Sequence, residues 1–279
     1  MVVRSLPGVP GTALLDALRT AASTAWNLRG AHGTAIDRFN QYQQWANQEV
    51  DRFGRLVPAD ELDRLVTTRR YWALQTLDPA SHGHLTSFVD VEVDERVRVL
   101  EREVTDLDRA LSRWRNSPDA VVVADTNVYL HHPEVFLNVP WRELVPARMG
   151  AVQLVIPLLV VDELDRHKRS ARSQRSGDGP TALRTRARVT LREIDELFTS
   201  TEWTVTLSPA GRLTGLVRAS LLLDPPEHAR LPDADSELID RARSLQDLIE
   251  RPVNLVTYDT GMTFRARAAG LKPIKLAHE

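Results

Sequence analysis

Cysteine is absent from this chain of 279 residues, which removes disulfides and thiolate metal sites together. No apolar run reaches the roughly 18 residues of a membrane helix, so no membrane association is expected. Near the N-terminus, Pro7, Gly8, Pro10, Gly11 and Asp16 interrupt the apolar stretch that a secretory signal needs. These absences point to a cytoplasmic protein. Charge of one sign is also lacking. The net charge is −2, so the molecule as a whole does not attract nucleic acid electrostatically. Lysine is nearly missing, with Lys168, Lys272 and Lys275 the only lysines among 36 basic residues.

What is present is a globular composition, 42% hydrophobic, on a chain long enough for two domains. Residues 1–116 read as all-helical. Leu14, Leu15, Leu18 and Ala22 share a helical face, as do Ile36, Phe39, Tyr42 and Trp45. Val97, Leu100, Val104, Leu107, Leu111 and Trp114 step by three and four along a coiled-coil-like seam. That seam is expected to pack within its own domain; a protein partner or a homodimer is its alternative use. Trp26, Trp45 and Trp72 read as core or cover residues of this bundle.

Asn116-Ser117-Pro118-Asp119 is a helix stop followed by turn chemistry, and it marks a boundary. Over 117–279 apolar strands (121–124, 153–161, 203–207, 253–258, 273–276) alternate with helical stretches (about 162–169, 181–199, 212–222, 235–249, 260–270). This alternation predicts an α/β domain with a mostly parallel central sheet.

Four acids punctuate that pattern. Asp125 closes Val121-Val122-Val123-Ala124, and Asp259 closes Leu255-Val256-Thr257-Tyr258. Glu163 follows the apolar run 154–161, and Asp235 stands before Ser236-Glu237-Leu238-Ile239. Ligands of open parallel sheets bind outside the carboxyl ends of the strands. Carboxylates converging there need a cation, and an all-oxygen set without cysteine or a histidine pair suits Mg²⁺ or Mn²⁺ better than zinc. Taken singly, each acid would pass as a helix cap or turn residue. Asp162 reads as an N-cap, Asp165 as a helix-surface acid and Asp240 as a solvated charge. Between Arg166 and Arg192 there are nine basic residues and one acid, Asp178. That segment either tracks phosphates, with Lys168, Arg169, Arg172 and Arg175 nearest the second acid, or is a solvated face.

The block Val122-Val123-Ala124-Asp125-Thr126-Asn127 resembles the opening strand and first motif of PIN-domain nucleases. Val160-Val161-Asp162-Glu163-Leu164-Asp165 looks like the second, Asp233-Ala234-Asp235-Ser236-Glu237-Leu238-Ile239 is similar to the third, and Val256-Thr257-Tyr258-Asp259-Thr260 resembles the fourth. The resemblance implies a PIN-like Rossmannoid fold over 117–279 and metal-dependent hydrolysis of RNA. Asp125, Glu163, Asp235 and Asp259 would be the catalytic metal ligands, with Thr126, Asn127 and Thr260 supporting them. Ala234 separates two acids in the third motif, so Asp233 stands as the alternative to Asp235. An RNA- or protein-binding regulator without turnover, or a toxin-like nuclease held by a partner, are the competing functions. An aspartyl-phosphate phosphatase is disfavoured, because its chemistry wants an acid where Asn127 stands.

Overall fold

The computed structural model describes residues 3–30, 33–77, 84–115, 120–145, 151–169, 180–199, 204–207, 216–224 and 228–277. The chain divides into two units, Met1–Asn116 with Asp247–Glu250, and Ser117–Gln246 with Arg251–Glu279. No helix of the described residues is long and apolar enough to cross a membrane.

The first unit is helical: α1 (Gly11–Arg29), α2 (Ala35–Phe53), α3 (Ala59–Leu65), α4 (Arg69–Gln75) and α5 (Leu85–Arg115). α5, at 31 residues, is about 46 Å long and packs against each of the other four. Val97, Leu100, Leu107 and Leu111 of the predicted seam are buried there, among Leu14, Leu15, Leu18, Phe39 and Tyr42. The bundle consumes the apolar seam internally. Thr34 starts α2 with a capping box: its hydroxyl accepts from the Asp37 N–H, and the Asp37 carboxylate accepts from the Thr34 N–H. Trp45 is core as expected, its indole N–H donating to Thr24 Oγ1 at 3.1 Å. Trp26 and Trp72 depart from expectation, at 54% and 58% exposed. Leu14, Leu15 and Leu18 already fill the inward stripe of α1, which leaves Trp26 on the outer face.

α5 also carries charge into this core. Glu92 and Arg96, one helical turn apart, are both buried and pair at 3.1 Å. Thr68 Oγ1 donates to Glu92 at 2.9 Å, and Arg96 Nη1 donates to the carbonyls of Arg64 and Leu65 at 2.6 and 3.1 Å. Arg96 thereby closes the carbonyl end of α3, whose last turn has no intrahelical donors left.

The second unit is built on a six-stranded sheet: β1 (Ala120–Ala124), β2 (Val152–Pro157), β3 (Thr204–Leu207), β4 (Val217–Leu222), β5 (Val253–Thr257) and β6 (Lys272–Lys275). Their order is β3-β4-β2-β1-β5-β6. Only β3 runs antiparallel, against β4. β2 and β5 are buried throughout, and β1 except for Ala120, as fits strands covered on both faces. Helices α6 (Thr126–His131), α7 (Leu158–Arg169), α8 (Pro180–Leu197), α9 (Ala234–Ile249) and α10 (Thr260–Ala268) complete the unit.

Two expectations are corrected. The apolar run 153–161 is not one strand: β2 ends at Pro157, and α7 begins at Leu158. Proline has no N–H to carry the ladder on, and Leu159, Val160 and Leu164 then bury one side of a helix. Asp162 is therefore mid-helix rather than an N-cap. The stretch 212–222, expected helical, contains β4; residues 208–215 lie outside the described residues. In β4 no residue is exposed, and buried and half-buried positions do not alternate.

Candidate active site

β1 lies between β2 and β5, so the direction in which strands are added reverses at β1. That reversal opens a crevice at the carboxyl ends of β1 and its neighbours. Asp125 follows β1 directly, and its backbone N–H continues the ladder to the Val256 carbonyl at 2.9 Å. Asp259 lies just past β5 and caps α10, its Oδ1 accepting from the Met262 N–H at 3.0 Å. Glu163 is in the second turn of α7, and Asp235 is in the first turn of α9.

The side chains are joined in a relay. Thr126 Oγ1 donates to Glu163 Oε2 at 2.5 Å. Asp125 Oδ2 accepts from Asn127 Nδ2 at 3.3 Å and from Thr257 Oγ1 at 2.9 Å. The same Thr257 oxygen accepts the Asp259 N–H at 3.0 Å. Thr257 is fully buried, so one hydroxyl fixes two of the four acids. Nothing in the sequence marks it, since a threonine inside an apolar strand reads as an ordinary β-former. Thr257→Val is expected to lower turnover and metal affinity together by about 10- to 100-fold, and Thr257→Ser to preserve both. Equal metal affinity in Thr257→Val, read by calorimetry, would assign the hydroxyl to packing alone.

Burial pushes the Asp125 carboxyl above the usual carboxylate range; Asp235 and Glu163 add to the push, while Thr257 and the Asn127 N–H oppose it. Burial raises Asp235 as well. Asp233 and Asp259 add to that rise and Arg265 counters it. Asp125 thus senses Glu163 and Asp235, and Asp235 senses Asp259, although among the described residues no three of the four acids bring ligand oxygens within 4.8 Å of one another. Among the described residues His228, Glu237 and Asp240 do so. Glu237 is fully buried with both oxygens engaged, Oε1 with His228 Nε2 at 2.7 Å and Oε2 with the Leu231 N–H at 2.8 Å. Glu237 thereby straps residues 228–231 to α9. Asp240, partly exposed, lies beside that pair.

Asp233 and Asp235 have different duties. Asp233 Oδ2 accepts from the N–H and hydroxyl of Ser236, at 3.0 and 2.7 Å, and so caps α9. Arg265 Nη1 donates to Asp235 Oδ2 at 2.9 Å and to Asp233 Oδ2 at 3.2 Å. This arginine went unnoticed in the sequence because its contact spans 30 residues.

Of the other predicted residues, Thr260 Oγ1 accepts from Lys275 Nζ at 2.7 Å. Lys168 and Arg169, exposed at the end of α7, pair with Asp165. Arg172 and Arg175 lie outside the described residues. Asp162 accepts from Arg230 at 2.6 Å, and Arg230 also holds Asp224.

The donor set suits a hard divalent cation. It is all oxygen, and the partners of Asp125 are neutral hydroxyl and amide groups that leave its charge uncompensated. Beside Asp259, Gly261 leaves space that a side chain would fill, since an added Cβ would lie 3.1 Å from Asp259 Oδ1. None of the curated proteins compared with the chain matches it. The sequence profile of the PIN domain, in general a nuclease fold that uses divalent metals, matches residues 122–277. This match spans more than half of the 279 residues and runs from β1 through β6, so the chain belongs to the PIN-domain family.

Proposed function

We propose that this protein is a Mg²⁺- or Mn²⁺-dependent ribonuclease that hydrolyses phosphodiester bonds at the crevice beside β1. The observation that carries the reading is Asp125: a buried carboxylate, repelled by Glu163 and Asp235 and bonded only to neutral donors. Such a group is stable as an anion when a cation is shared with its neighbours.

Asp125, Glu163, Asp235 and Asp259 would hold the ion. When bound, a hard divalent cation polarises a phosphoryl oxygen and lowers the pKa of a coordinated water. The chain's own residues aim the ligands. Thr126 fixes the Glu163 carboxylate from the first turn of α6, and Asn127 and Thr257 fix Asp125 from two sides. Thr257 also sets the backbone from which Asp259 projects. Arg265 offsets part of the charge of Asp233 and Asp235 at the rim, where a polyanionic substrate has to approach.

Single-stranded RNA and DNA, incubated with Mg²⁺, Mn²⁺ or EDTA, test this with the product ends as readout. Cleavage of RNA in either metal, lost in chelator and regained on adding the metal back, is expected. Full activity in EDTA, or recovery with Zn²⁺ alone, would overturn the assignment.

A further inference from the structure

α10 begins at Asp259 and has an outward face that its fold does not use. Phe264 lies on that face, 61% exposed, the most exposed of the large apolar side chains among the described residues. It is five residues beyond Asp259, about 7 Å along the helix axis. Arg265 and Arg267 flank it, also exposed. The Arg267 guanidinium lies over the Phe264 ring, 5.8 Å from its centroid, and Arg265 reaches the other way to Asp235 and Asp233. Ala266, Met262 and Thr263 supply the buried side of the helix, so Phe264 contributes little to the core.

An exposed ring can be covered by a flat apolar face, and the Arg267 guanidinium beside it favours an anion attached to that face. We propose that the exposed face of α10, Phe264 between Arg265 and Arg267, is a platform for a single nucleic-acid strand. One base stacks on the Phe264 ring and a flanking phosphate pairs with Arg267, while Arg265 stays on Asp235 and Asp233. This is the recurrent chemistry of single-strand binding, in which aromatic faces take bases without regard to sequence and cations track the backbone. The proposal rests on the nuclease reading for the strand's destination. It deepens that reading by assigning the approach to the carboxylates to α10, whereas the sequence directed attention to the basic segment after Glu163. Arg265 belongs to both features: its guanidinium links the rim of the platform to the third acid.

The test separates binding from cleavage. Affinity for a fluorescently labelled single-stranded RNA about ten nucleotides long is measured by anisotropy in EDTA. Cleavage of the same RNA in Mn²⁺ is followed in parallel. Phe264→Ala is expected to weaken binding by about 5- to 100-fold. Phe264→Trp should bind as well as wild type or better, and Phe264→Leu as poorly as alanine, which distinguishes stacking from apolar contact. Arg267→Gln should reduce the slope of log affinity against log salt by roughly 0.7. Two exposed positions leave the fold intact, checked by unchanged circular dichroism. If wild type and Phe264→Ala bind alike, or neither binds the probe, α10 is a solvated helix face and the platform is wrong. If the Phe264 series orders as expected while wild type cuts no RNA, the platform stands and the nuclease reading falls. If RNA is cut with metal but binding ignores Phe264, the reverse holds.

Discussion

Asp125→Asn is expected to abolish RNA cleavage, by on the order of 10³-fold, while leaving the metal-free protein at least as stable as wild type. Folding raises the proton affinity of Asp125, mainly by burial and then through Asp235 and Glu163. A carboxyl shifted in this direction costs nothing below the ordinary carboxylate range. Its cost sets in as pH rises above the ordinary carboxylate range and is complete once pH passes the raised folded value. Removing the charge lifts that cost. An asparagine retains an oxygen to accept from Thr257 and Asn127. With ligand at a hundredfold its dissociation constant, mass action stabilises wild type by about 2.7 kcal/mol. The variant, holding the ion with one acid fewer, should gain much less. Circular-dichroism melts at neutral pH in EDTA and in Mn²⁺ provide the readout. A variant that melts well below wild type in EDTA would make Asp125 a structural residue and remove the observation on which the functional reading rests.

The second large effect belongs to the helical unit. Glu92→Leu is expected to destabilise it by about 2–4 kcal/mol, because Arg96 keeps its charge in the core and loses its buried partner, with only the half-exposed Glu95 left at 3.6 Å. Arg96 is only 3% exposed, and the carbonyls of Arg64 and Leu65 are dipoles, not counter-charges. Combining Glu92→Leu with Arg96→Met should recover most of the loss, since apolar residues of similar volume often replace a buried ion pair at little cost. Urea unfolding measures both. A single variant within about 1 kcal/mol of wild type, or a double variant that is worse than the single, would show that the pair is not the electrostatic unit its geometry indicates.

Asp125 and Asp259 were legible in the sequence because each ends a short valine- and leucine-rich strand, and side chains just past such strands gather at the carboxyl edge of a parallel sheet. Glu163 was legible as a residue but not in its setting. An apolar run that turns from strand into buried helix at Pro157 has no break in hydrophobicity, so periodicity alone carried the strand four residues too far. β4 was misread for a related reason: both faces of an interior strand are covered, and the period-two signal fades. Trp26 and Trp72 failed because size and apolarity predict burial only on average. The partners that hold the acids, Thr257 and Arg265, are created by contacts between elements far apart in the chain. A linear reading has no term for them.

The placement of β1 between β2 and β5 also has a consequence in time. Thr257 and Asp125 are bonded across 132 residues of sequence. The strand that carries Thr257 is laid against β1 only after β2 and β4 have been made on the other side. At the 5–20 residues per second of synthesis, roughly ten seconds separate the emergence of the two. During that interval Glu163 and Asp235 are made, but Asp125 lacks the hydroxyl that orients it. A growing chain therefore lacks the full set of four acids until Asp259 has been made. The set is complete when β5 enters beside β1 and brings Asp259 with it, before β6 is added at the edge of the sheet.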